Sequence, residues 1–179
     1  NNSILLTLAE KARVKVPQEL KEKIKLHADA LRSCWDEQSG YFYSRDFITH
    51  QPLKQVTISS MLPLYSGVIS QDQAARILSC LNDRSSFGLA YPVPSVPRNN
   101  PAFDPARYWQ GPTWINTNWL LIDGLRQYKF DDEADELAEK TAELVNYYGP
   151  HEYFSQLDGT ALGAANFSWS AALVLDLLE

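Results

Sequence analysis

A regular alternation between two kinds of helical segment is the feature that most constrains this chain. Positions 132–148, DEADELAEKTAELVNYY, carry Ala134, Leu137, Ala138, Thr141, Leu144, Val145 and Tyr148 at three- and four-residue steps, with Glu and Lys between them. Such spacing gathers the apolar side chains into one stripe, so the helix covers a core with one face and meets water with the other. Positions 17–35 repeat the pattern through Leu20, Ile24, Ala28, Leu31 and Trp35 behind an opening Pro17, and Asp72–Leu81 is a shorter case. Between these lie 56–68 (VTISSMLPLYSGV), 113–128 (TWINTNWLLIDGLRQY) and 167–178 (FSWSAALVLDLL), apolar in nearly every direction. Helices of that kind are buried on most sides. From residue 17 the order is therefore outer, inner, outer, inner, outer, inner. The fold class predicted is all-α: three helical hairpins whose inner helices share an axis, in one domain over 1–179.

Local signals set the expected boundaries. Asp131 or Asp132 can cap the 132–148 helix, and Gly149-Pro150 ends it. Gly111-Pro112 can start the second inner helix with Pro in its first position, and Asn166 or Ser168 can cap the last. Pro63 must sit in a first turn or kink its segment. The connections are unequal. Inner-to-outer links, about 67–71 and 129–131, are short, whereas outer-to-inner links, about 36–55, 83–112 and 149–166, are long. All three long links must then lie at one end, above the N-termini of the inner helices, and long loops on a rigid frame commonly carry function. Three hairpins about an axis form a half-ring, whose open apolar side needs a cover: closure into a bundle, a further half, a second copy or a partner.

Composition narrows the partners. A formal charge of −6 leaves no basic footprint for nucleic acid or anionic lipid. No apolar run approaches the ~20 residues of a membrane-spanning helix, and no signal segment opens the chain. A soluble globular protein with neither nucleic-acid nor membrane partner is expected; its localisation stays open, the cytoplasm slightly favoured, since the first residue is Asn1 and upstream residues could have been removed. Cys34 and Cys80 lack metal-ligand spacing and read as two buried free thiols. With three histidines, at 27, 50 and 151, no metal site or cofactor is expected.

Two stretches could carry chemistry. RYWQGPTWINTNW, 107–119, holds three of the five tryptophans. On a helical wheel Trp114, Asn118, Leu121 and Leu125 share a face while Asn116 and Trp119 point elsewhere, so Trp109, Gln110, Trp114 and Asn116 gather at the long-loop end, as stacking on a sugar ring and bonding to its hydroxyls would require. The same residues read equally as packing, with two tryptophans in the core and the amides capping backbone. The second stretch, GPHEYFSQLDGTALGAANFSW at 149–169, places Glu152 among aromatics, where partial burial can make a carboxylate a usable base; an exposed loop Glu is the alternative. A third cluster, CWDEQSGYFYSRD at 34–46, suggests a short hairpin about Ser39-Gly40, with turn duties for Asp36, Glu37 and Asp46. Between these, 91–109 is proline-rich and aromatic, a stiff ordered loop.

YWQGPTWINTNWLLIDGL and HEYFSQLDGTALGAANFSWSAAL resemble the C-terminal half of family 63 glycoside hydrolases, a group of processing alpha-glucosidases, mannosylglycerate hydrolases and, more distantly, trehalases. PLYSGV, YPVPSVP and FDPARYW are similar to the same family, extending the resemblance over about 30–179. It implies about half of an (alpha/alpha)6 barrel and an inverting alpha-glycosidase in which Glu152 is the general base. It also implies that Tyr108, Trp109, Gln110, Trp114 and Asn116 line the sugar pocket, with an oligosaccharide or small glycoside as substrate. The family's acid, an Asp in a Gly-Trp-Asp segment of the first half, has no counterpart here, because Asp36 falls in the later W-D-E-x-x-G hairpin. Gln110 departs from the Arg of many members. The acid is expected in a missing N-terminal half or partner chain, which would leave this chain inactive alone. Two alternatives stand beside this reading: a non-catalytic carbohydrate-binding or degenerate helical domain, and a helical structural module.

Overall fold

The structure, a computed structural model, describes residues 2–178. Six α-helices account for a little under half of it: α1 (Asn2–Lys11), α2 (Gln18–Arg32), α3 (Gln71–Asn82), α4 (Ile115–Gln127), α5 (Asp131–Tyr148) and α6 (Ser168–Leu177). Two small antiparallel hairpins join them, β1 (Trp35–Asp36) with β2 (Tyr41–Phe42), and β3 (His151–Phe154) with β4 (Ala161–Ala165). The alternation predicted from the periodicity is present. α4 packs between the first inner segment and α6, and α5 lies over both α4 and α6. Ala134, Leu137, Thr141 and Leu144 of α5 are buried, while its Glu-rich face is exposed.

The first inner segment departs from expectation. In place of a helix over 56–68 there are two 3₁₀ turns, Ile58–Ser60 and Leu62–Ser66. Pro63 stands in the first turn of the second and has no N–H to continue an α-ladder. Gly67, at φ 68°, ends it. α4 approaches this pair closely because residue 124 is glycine: a Cβ there would lie 2.9 Å from the Leu64 carbonyl carbon and from Tyr65 N. α1, the β3–β4 hairpin and three helix starts were not foreseen. Phe130, Trp114 and Phe167 occupy the N-cap positions of α5, α4 and α6, with no side-chain cap bond from any of them. Asp131 is already the first residue of its helix, Gly111-Pro112 lies ahead of α4, and neither Asn166 nor Ser168 caps α6. The two cysteines are free but half-buried rather than buried, Cys34 donating weakly to the Ala30 carbonyl at 3.5 Å.

The core runs from Phe42, Met61 and Leu64 through Ile77 and Phe87 to Leu121, Leu125 and Leu137. A smaller cluster of Ile115, Ala142, Leu144, Phe154 and Val174 sits beneath the β3–β4 hairpin. Among the buried polar residues, Asn118 spans three elements. Asn118 is fully buried on α4; its Oδ1 accepts from Val93 N (3.0 Å), and its Nδ2 donates to Pro92 O (2.8 Å) and to Thr141 Oγ1 (2.9 Å). Each of its polar atoms is satisfied, so it ties the 91–97 loop to both α4 and α5 without an orphaned group.

Candidate active site

The long connections are laced together above α4. Ile58 N donates to Ser95 O, and Ser95 N to the Gly111 and Pro112 carbonyls, while Gly111 N donates to Ser95 Oγ. Thr113 exchanges both backbone bonds with Phe154 at 2.8 and 2.9 Å, and its hydroxyl donates to Tyr91 O. Thr113 thus bridges Pro94 on one side and Phe154 on the other, extending the β3–β4 hairpin into an irregular sheet that floors this end. Ser170 of α6 anchors the hairpin from below, its Oγ donating to His151 O at 2.6 Å. The 91–109 loop is ordered as its composition predicts, with 93–97 buried.

On this floor the aromatic residues stack. Trp109 and Trp114 lie face to face, ring centres 3.9 Å apart and 3° from parallel, and Tyr153 continues the stack beyond Trp114 at 5.0 Å and 23°. Tyr108 meets Trp109, Trp114 and Tyr153 edge-on, close to 83° in each case, the geometry favoured by ring quadrupoles. Trp114 is the middle plate, 2% exposed, and donates from Nε1 to Tyr108 O at 3.2 Å. Trp109, 38% exposed, is the outer plate and keeps one face open. Tyr108 has φ 35°, a left-handed conformation that costs a bulky residue about 1–3 kcal/mol and persists where surroundings over-determine it. Gln110 shapes the turn through its backbone, donating to Arg107 O and accepting from Asp104 N. Asn116 is half-buried in the first turn of α4.

Glu152 rises from β3 beside this stack, half-buried. Tyr108 Oη donates to its Oε1 at 3.4 Å and Ala164 N to its Oε2 at 3.3 Å. The geometry therefore brings Tyr108, Trp109, Trp114 and Glu152 into one cluster; Gln110 and Asn116 flank it along the chain. Tyr153, Gly163 and the Ala164 amide belong to the same cluster and were not singled out from the sequence. Their hairpin leaves little signal: neither HEYF nor ALGAA alternates apolar with polar residues, and only Asp158-Gly159 reads as a turn.

The other carboxylates are committed elsewhere. Asp36 Oδ1 accepts from Gln38 N and Ser39 N, and its Oδ2 pairs with Lys54 at 3.0 Å; Lys54 and the Ser39 amide hold this carboxyl below its ordinary range. Glu37 accepts from Trp35 Nε1 and pairs with Arg76, and both partners push it down. Asp46 closes a turn onto Ile48 N and Thr49, whose amide and hydroxyl lower it further. Asp36 and Asp46 perform the turn duties expected of them, whereas the Glu37 carboxylate makes no turn bond and instead ties the Trp35 indole to Arg76. A separate groove of about 650 Å³ opens between α3 and α5, over Leu78, Val93, Leu125 and Leu137, with Arg84 and Lys140 on its walls. It contains none of the cluster residues and no aromatic plate.

Fold and site together define a class, that of the helical glycoside hydrolases. Comparison with known proteins gives the particular family. The family model for the mannosylglycerate hydrolase MGH1-like glycoside hydrolase domain matches residues 1–170, and the chain belongs to that family. A mannosylglycerate hydrolase of Thermus thermophilus is 36% identical over 159 residues, covering 89% of this chain and 38% of its own length. One from Rubrobacter radiotolerans is 34% identical over 177 residues, covering 96% and 40%. The crystal structure of the family 63 mannosylglycerate hydrolase from Thermus thermophilus in complex with glucose superimposes with a TM-score of 0.93 at 34% identity, over 99% of this chain and 45% of that one. Neutral trehalase from Saccharomyces cerevisiae shares the fold at a TM-score of 0.70 and 21% identity. The chain spans about two fifths of the length of the curated relatives it matches, and its helices form about half of the helical barrel.

Proposed function

We propose that this chain is the base-bearing C-terminal half of an inverting alpha-glycoside hydrolase acting on a small glycoside of the mannosylglycerate type. The observation that carries the reading is Glu152, a carboxylate held from two sides at the edge of an aromatic stack with one open plate. In this scheme the outer face of Trp109 stacks on the sugar ring, with Trp114 beneath it as support, while Tyr108, Gln110 and Asn116 meet hydroxyls. Glu152 takes a proton from a water as that water attacks the anomeric carbon. The attack comes from the face opposite the leaving group, so the bond forms as the glycosidic bond breaks and the configuration inverts.

The leaving oxygen needs a proton from a second carboxyl about 6.5–9.5 Å away across the scissile bond. Among the described residues no other carboxylate is hydrogen-bonded into the cluster. On this reading, and as the family resemblance implies, the acid is supplied by a segment or partner that completes the single barrel domain, which fits the share of its relatives that the chain spans. Alone, the chain lacks protonation of the leaving group, worth about 10²- to 10⁴-fold from that role.

The test uses the complete protein. Glu152→Gln should lower kcat on mannosylglycerate by about 10²- to 10⁴-fold while sugar affinity stays nearly intact. NMR of the wild-type reaction should show the beta-anomer first. Retained turnover in Glu152→Gln removes the base assignment, and an alpha-anomer as first product removes inversion. Sugar binding with no turnover in the wild type would favour the non-catalytic carbohydrate-binding reading.

A further inference from the structure

β3 and β4 fall out of step at one place. His151 pairs with Ala165 and Tyr153 with Leu162. Glu152 therefore faces two residues, Gly163 and Ala164, where a regular ladder would offer one. Gly163 has φ 71°, the left-handed glycine of a G1-type bulge, a feature that commonly re-aims a side chain. Two things follow. The Ala164 amide donates to Glu152 Oε2 at 3.3 Å, and so serves a side chain. A Cβ on Gly163 would stand 2.7 Å from that same oxygen, 2.8 Å from Glu152 Cβ and 2.6 Å from Tyr153 Cε1. Both the backbone angle and the space require glycine.

The opposite oxygen, Oε1, faces Tyr108 Oη at 3.4 Å. Tyr108 is itself fixed by its bond from Trp114 Nε1 and by three edge-on rings. A glutamate on a half-exposed strand would otherwise sample several rotamers, of which few aim a lone pair at a given water.

We propose that the Gly163–Ala164 bulge, with the Tyr108 hydroxyl opposite, is a positioning device that fixes the rotation of the Glu152 carboxylate before substrate arrives. The inference rests on the reading of Glu152 as the base. Gly163 touches neither sugar nor water; it acts through Glu152 and is a positioning residue. Misplacing a reacting group by 1 Å costs on the order of 10²-fold in rate, which sets the scale of the effect.

The test is a double-mutant cycle in the complete protein, with kcat and KM measured on the glycoside. Gly163→Ala should lower kcat by about 10- to 100-fold with KM within about twofold, because ground-state binding is untouched. Combined with Glu152→Gln it should cost nothing further, since the only route from Gly163 to the chemistry has already been removed. Tyr108→Phe, which deletes one hydroxyl and leaves the rings, should raise KM in both backgrounds because that hydroxyl also meets the sugar, but its smaller loss in kcat should vanish in Glu152→Gln; that kcat readout carries the test should Gly163→Ala fail to fold. Equal losses in both backgrounds would mean a general structural defect and overturn the proposal, as would an unchanged kcat in the single variants. Full turnover in Glu152→Gln alone is a different outcome: it overturns the base reading, and this proposal with it.

Discussion

Replacing Asn118 with Leu keeps the volume of a fully buried side chain and removes all three of its hydrogen bonds. Of the three partners, Thr141 Oγ1 keeps its own bond to Leu137 O at 2.7 Å. Val93, 1% exposed, is left with an unsatisfied N–H, and Pro92, half-buried, with an unsatisfied carbonyl. A buried polar group stranded this way costs about 1–3 kcal/mol, the upper part of that range applying to the amide and the lower part to the carbonyl. The sum is about 3 kcal/mol, a large share of the 5–15 kcal/mol typical of a folded domain. Thr141→Val removes one of the same bonds without stranding Val93 N, and should cost about 1 kcal/mol. Because the Asn118–Thr141 bond is counted in both single changes, the double variant should fall short of additivity by about that bond. Equilibrium urea denaturation of the complete protein, followed by tryptophan fluorescence, measures all four forms. A loss below about 1 kcal/mol for Asn118→Leu would refute the assignment of this side chain as the tie between the 91–97 loop and the helices.

The acid sensitivity of the first hairpin and of the turn after it follows from Glu37, Asp36 and Asp46, all held below their ordinary values of 4.5, 3.8 and 3.8. A carboxyl whose pKa is depressed on folding stabilises the folded form above its ordinary pKa, and that contribution is lost as pH falls through the folded value. The Trp35 indole N–H resonance should hold its position from pH 7 to about 4.5 and shift only below that; in Arg76→Ala the shift should begin at higher pH, and an unmoved onset would refute the Arg76 contribution. For the sugar platform, Trp109→Ala should raise KM about tenfold or more, as loss of one stacking plate implies, with little change in thermal stability because the plate is outermost. The isolated 179-residue chain exposes Ile4, Leu5, Leu8, Leu26, Leu175 and Leu178 at 49–65%. It should bind a hydrophobic dye and self-associate on gel filtration, and a monomeric, dye-silent chain would refute the reading of these edges as faces made to be covered.

The one-sided helices and α4 were legible because burial imposes a period, and the period survives in single residues: Ala134, Leu137, Thr141 and Leu144 are inside as their spacing requires, whereas α6, apolar all round, buries only Ser170 and Val174. The failures have a common cause, competition between local signal and tertiary packing. Asp131 has the chemistry of a cap, yet Phe130 takes the position, since docking of α5 onto α4 fixes where the helix begins. VTISSMLPLYSGV has the composition of a buried helix, and burial is what it shows, but Pro63 and Gly67 leave it only 3₁₀ turns. Glu152 and the tryptophans are legible as candidate residues, but the hairpin that presents Glu152 is hidden, because its strands are short and its bulge interrupts the pairing at that residue. Tyr153 and Gly163 share that fate. Their role exists only in the paired structure.

Burial along the helical series is uneven in a way that bears on how much of the site this chain can hold by itself. α2 has no fully buried residue, α4 has seven, and α6 has two, Ser170 and Val174. The poorly covered helices are the two ends of the arc. The Glu152 cluster, however, is not built on the ends. Its floor is Thr113, Phe154, Ser95 and Tyr91: Thr113 exchanges backbone bonds with Phe154 and gives its hydroxyl to Tyr91 O, Ser95 N donates to the Gly111 and Pro112 carbonyls, and Asn118 on α4 locks the 91–97 loop to α5. α6 contributes through Ser170, one of its two buried positions, and not through the exposed Leu175 or Leu178. Covering the edges would then add stability to the arc without being needed to orient Glu152. The Glu152 cluster is held within these residues, and on the function proposed above a completing segment supplies the acid and the far wall of the pocket.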